Sequence, residues 1–167
     1  MGTVQAFWEG ETMMHPFGEI EALGPWTAHI QAMDQAVIED APGESVRAWR
    51  QAYSAALSHP GWLGLLAVAA ASLRLGVFPG LARGAVARAR ETYWIAFFRA
   101  RQQRSLNGVL HAAEAFGRLG DRSTVDQCMR VAEGLAALSG DGADVDRVRI
   151  LGTRLAEQSL VEEHGAV

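Results

Sequence analysis

The stretch VLHAAEAFGRLGDRSTVDQCMRVAEGLA, residues 109–136, decides the fold. Apolar residues recur at helical spacing on both sides of Leu119-Gly120-Asp121, which predicts two helices joined by a tight turn. Ala113 and Ala132 are small where such helices cross, and Phe116 and Met129 are large where holes must be filled. Working outward, nearly every segment after residue 24 reads as helix. The breaks are DAPGES (40–45), SHPG (58–61), LGVFPG (75–80), SLNG (105–108), LGD (119–121) and SGDGAD (139–144). Ser123 or Thr124 is expected near the start of the helix after Gly120, and Asp144 is expected to cap the last one. The run YWIAFF (93–98) could be a buried strand, but its arginine-rich flanks favour a helix buried on several sides. Short β-branched runs and hairpin turns are missing. The prediction is an all-α chain of about seven helices in short antiparallel pairs. At 167 residues it suits one domain.

Composition narrows the function. The 15 basic residues are all arginine, so a lysine Schiff base, a P-loop lysine and a Ser-x-x-Lys pair are excluded. One cysteine gives neither a disulfide framework nor a CxxC knuckle, which places the chain in a reducing cytoplasm. No apolar run approaches about 18 residues, so no membrane span is expected. The start lacks the basic-then-apolar order of a secretory signal. Charge is uneven. Residues 1–45 carry eight acids and no arginine, residues 46–122 eleven arginines and three acids, and residues 123–167 eight acids and four arginines. The basic middle could attract nucleic acid, but the net charge of −4 and the lack of interleaved Gly-aromatic motifs argue against it.

Helix pairs of similar length invite a test for a period. The turn glycines Gly43 and Gly76 are 33 residues apart, close to a 34-residue unit, and Gly120 follows at 44. With each glycine at position 15 of such a unit, the third has Ala113, Phe116, Val125, Met129 and Ala132 at packing positions. The first has Ala36, Ala48, Ala55 and a terminating Pro60, and the second has Leu65, Ala69 and Leu81. Residues 29–139 therefore resemble three tetratricopeptide repeats, and residues 143–163 resemble the closing helix such stacks need. Arg88 and Glu39 depart from the pattern. The ten extra residues before Gly120 imply a second B helix lengthened through RETYWIAFFRARQQR.

A narrower resemblance is carried by HAAEAFGRLGD (111–121). It is similar to the third repeat of the small chaperones that hold translocator proteins of type III secretion systems. Length, acidity, three repeats and a terminal helix agree with that family. The resemblance implies a short superhelix over residues 25–167 and an acidic segment, 1–24, that is flexible or forms dimers. It implies a cytoplasmic, non-enzymatic chaperone that binds a protein partner without a cofactor, and a homodimer.

In such a stack the A helices line a concave face. Its predicted residues are Leu63, Leu66, Ala70, Leu73 and Arg74 in the second unit, and Asn107, Leu110, His111, Glu114 and Arg118 in the third. Ile30, Met33, Val37, Asp40 and Ala41 are their counterparts in the first. This is an apolar groove with a few polar groups, suited to an extended peptide showing spaced apolar anchors. Two other readings compete: a repeat adaptor in another bacterial assembly, and a ligand-binding or catalytic bundle around YWIAFF and the arginines.

Enzymatic motifs are weak. His111 and Glu114 share one helix face at i, i+3, but a di-iron bundle needs Glu-x-x-His twice plus two further glutamates. The other histidines show no ligand spacing, so no metal is expected. Cys128 sits mid-helix beside Met129 and reads as a core thiol. No GxSxG, HExxH or GxGxxG occurs.

Overall fold

In a computed structural model the described residues run from 24 to 164, with side chains described to 158. The expected N-terminal segment, apart from Gly24, lies outside them. Seven helices follow one another: α1 (Thr27–Ile38), α2 (Pro42–Ser58), α3 (Leu63–Arg74), α4 (Ala82–Gln102), α5 (Leu106–Arg118), α6 (Arg122–Ser139) and α7 (Gly142–His164). A 3₁₀ turn, Leu75–Val77, precedes α4, and no strand occurs among the described residues. The all-α expectation is correct, and YWIAFF is helical. Tyr93, Ala96 and Phe97 are buried within it, but Phe98 stands 48% exposed.

The closest packing joins α1 to α2, α3 to α4 and α5 to α6. The odd helices also touch in sequence, α1 to α3, α3 to α5 and α5 to α7. From α4 onward, each even helix packs over the seam ahead of it. α4 lies over α2 and α3: Arg88 sits 5.6 Å above the Trp49 ring, and the Ser72 hydroxyl of α3 donates to the Ala85 carbonyl. α6 does the same for α4 and α5, because Cys128, Ala132 and Ala136 share one core with Tyr93, Phe97, Val109 and Phe116. A second core, around Trp26, Met33, Trp49, Leu65 and Val68, holds α1 to α3 together. Trp62 and Leu66 border both.

Small residues make these approaches possible. A Cβ on Gly108 would come within 2.6 Å of the Ala100 Cβ and 2.7 Å of Trp62, and one on Gly64 within 2.5 Å of Trp26. Ala113, Ala132, Ala36, Ala48 and Ala69, at the predicted crossing positions, are buried.

Helix ends correct several expectations. Gly43 is no turn residue but the second residue of α2, behind Pro42. The α1–α2 turn rests on Asp40, at φ 54°, a left-handed conformation that aspartate tolerates. Gly120, at φ 71°, is the turn glycine expected. Ser123 and Thr124 lie in the first turn of α6, near its start as expected, and Asp121 caps the helix by accepting from the Thr124 amide. Asp141, not Asp144, caps α7 by accepting from the Ala143 amide. Their side chains stand one residue ahead of the first turn, where orphan N–H groups need acceptors. The ten extra residues are shared between the connection 75–81 and an α4 of 21 residues, against 17 in α2 and 18 in α6.

Candidate functional site

The i, i+3, i+7 spacing of Leu63, Leu66, Ala70 and Leu73 puts them on one face of α3, where all four are half-buried. Leu66 and Leu73 lean on the core, whereas Leu63 and Ala70 do not join it. Arg74 closes this stripe. Its guanidinium grips both carboxylate oxygens of Asp34 of α1 through Nε and Nη2, at 2.7 and 3.0 Å. Half-buried Ile30 and Val37 flank Asp34 on α1. The apolar patch is thus bounded on the α1 side by a bidentate, exposed ion pair.

Three first-unit expectations fail here. Met33 is fully buried and belongs to the core. Asp40 and Ala41 lie beyond the end of α1, in its turn.

On α5 the predicted residues behave differently. Leu110 is fully buried and is not a groove residue. It points to the core because α5 is enclosed by α3, α4, α6 and α7, so a single face cannot hold all its apolar positions. Asn107 and Glu114 are tied to α7: Arg147 donates to the Asn107 side-chain oxygen Oδ1 and Arg154 to the Glu114 carboxylate. His111 stacks on Trp62, with ring centroids 5.9 Å apart, and its Nδ1 lies 3.6 Å from the other Glu114 oxygen. Arg118 is exposed at the end of α5. Burial raises the Glu114 pKa, but the hydrogen bond from His111 and the charges of Arg154 and Arg118 outweigh it. The carboxyl therefore ionises below its ordinary value of 4.5.

The odd-helix face is therefore divided. Its α3 portion is apolar and accessible, while its α5 portion is a polar clamp holding α7. The ten predicted residues occupy two zones of one surface, Leu110 excepted.

Cys128 is fully buried, and burial, with a smaller push from the Asp121 charge, raises its thiol to about 12. It stays protonated at neutral pH and serves packing. Among the described residues no group of three or more His, Cys, Asp or Glu gathers as a metal site, and no helix is long and apolar enough to cross a membrane.

Two features escaped the sequence reading. Arg99 of α4 donates to the carbonyls of Ala56, Leu57, His59 and Gly61, and Gln103 to that of Pro60. Together they cap α2 and fix its connection to α3, a role no local pattern announces. The other is a cavity of about 640 Å³ between α6 and α7, walled by Val125, Met129, Ala136, Val148, Gly152 and Ala156. Comparison with family models, curated proteins and solved structures finds no match for this chain.

Proposed function

We propose that the chain is a non-enzymatic binding protein of tetratricopeptide-repeat type. In this reading the odd helices form a concave surface that holds an extended apolar segment of a protein partner. The observation that carries it is the accessible stripe Leu63, Leu66, Ala70 and Leu73 along α3, bounded by Asp34–Arg74 and by the His111–Glu114–Arg154 clamp. Half-buried aliphatic side chains in a row offer spaced contacts to apolar anchors, and the flanking charges orient a chain without supplying much affinity. The sequential contact of odd helices and the small residues at the crossings are what a repeat stack requires.

The partner class follows from the resemblance of HAAEAFGRLGD to translocator chaperones of type III secretion. The proposed role is to shield the apolar segments of a secreted partner in the cytoplasm, without a cofactor, as a homodimer. Co-purification of the tagged chain from its native host is expected to yield a stoichiometric protein with long apolar segments. Leu66→Asp and Leu73→Asp each remove one apolar anchor, about 2 kcal/mol, or about 30-fold in affinity. Each variant is expected to lose that protein while its helical circular dichroism stays native. Partner retention by both folded variants would show that the face is wrongly assigned.

A further inference from the structure

The cavity between α6 and α7 is separate from the α3 stripe. Its place in the stack defines what it would accept. α4 covers the seam between α2 and α3, and α6 covers that between α4 and α5. The α6–α7 seam is the next in the series, and no described residue covers it. Its walls are mostly apolar, and Gly152 and Ala156 leave space: a Cβ on Gly152 would meet only the Met129 methyl, at 3.5 Å. Val145 on its edge is 50% exposed. A surface of small residues with such a volume fits large side chains presented by another segment.

We propose that this groove seats the chain's own N-terminal segment, with Phe7 and Trp8 as its anchor. Residues 1–23 hold Phe7, Trp8, Met13, Met14 and Phe17, with four glutamates and no arginine. Large apolar side chains left in water forgo the stabilisation of burial. Size is complementary, since aromatic side chains meet walls in which glycine, alanine and valine outnumber Met129 and Leu155. Arg122 and Arg149 stand on the rim with Asp126 and Glu133, so charge sets the alignment more than the affinity.

Reach allows the connection within one chain. From Trp8 to Gly24 an extended chain spans up to about 53 Å, whereas three steps between odd helices, α1 to α7, cover about 30 Å. A tether of this length gives a local concentration in the millimolar range, so the chain's own segment outcompetes a second copy's at ordinary protein concentrations.

The test uses the full chain with a nitroxide on Glu9→Cys, Cys128 being buried. Loss of the amide NMR signals of Met129, Gly152 and Ala156, with those of α1 to α3 retained, is the expected result. A mixture of spin-labelled unenriched chain with ¹⁵N-enriched unlabelled chain is expected to show no loss. Gly152→Phe, which fills the groove, is expected to restore the signals in the singly labelled chain without changing its helicity. Broadening in the mixture would assign the groove to a second copy. Broadening elsewhere, broadening nowhere, or broadening that survives Gly152→Phe would also overturn the proposal.

Discussion

The seam between α2 and α3 and the seam between α6 and α7 are built alike and end differently. Each joins an even helix to the odd helix that follows. Over the first lies α4, with Arg88 on Trp49, Ala96 in the shared core and Arg99 on the carbonyls that end α2. Over the second lies an open cavity. Small residues occur at both ends of the molecule, but they do opposite things. Gly64 and Gly108 are small because a tryptophan occupies the space a Cβ would need. Gly152 has only a flexible methyl at ordinary contact distance, and Gly134 and Gly142 have nothing within 4 Å. A glycine in an alanine-rich helix is thus a packing constraint only where another element has come close.

The sharpest way to break this contrast is to add a side chain at the crowded end. Gly108→Val places a branched side chain where Ala100 and the Trp62 ring already stand, so α4 and α5 must separate. The expected cost is about 3 kcal/mol, the upper part of the overpacking range, read as a lowered midpoint in urea unfolding. A cost indistinguishable from zero would mean that the α4–α5 contact is far looser than described.

A smaller loss is expected from Arg99→Met, which keeps the stem but removes the donors to four carbonyls. Charge-assisted hydrogen bonds contribute about 1.5–3 kcal/mol where buried, and partial exposure discounts this to about 1.5 kcal/mol. Hydrogen exchange locates the effect: the amides of α2's last turn and of the first turn of α3 should exchange faster, with those of α6 unchanged. Uniform loss of protection would show that Arg99 acts on the whole fold and not on this connection.

The contrast between the seams also marks where sequence reading stops. Helix positions were legible because their signals are local. Apolar spacing, Pro42 at the start of α2 and the turn glycine Gly120 each act within four residues, and α4 was recognisably long. Caps were harder: Asp141 lies three residues before the expected cap Asp144, and Asp121 stood out only as part of a turn. Face assignments failed where burial depends on several neighbours. Leu110 has the spacing of a surface stripe, but α5 is enclosed by α3, α4, α6 and α7. The same spacing on α3 leaves Leu63 and Ala70 accessible. Arg99 meets carbonyls 38 to 43 residues away, and Arg147 and Arg154 meet partners 40 residues away. No local window contains both partners. The α6–α7 cavity was equally hidden, because an uncovered apolar seam has the same letters as a covered one.

The smallest expected effect is of opposite sign. Gly152 lies inside α7, where glycine costs conformational entropy that alanine does not. At Gly64 and Gly108 a methyl group would collide with tryptophan, but here it would meet only the Met129 methyl at 3.5 Å. Gly152→Ala should therefore stabilise the protein by about 0.5–1 kcal/mol, measured as a raised urea midpoint with an unchanged slope. The added methyl occupies little of the roughly 640 Å³ between the helices, so the substitution leaves the groove open while testing its looseness. A destabilising result would mean that α6 and α7 press together at Gly152 as tightly as α4 and α5 do at Gly108, and the difference between the two seams would then reduce to one of exposure.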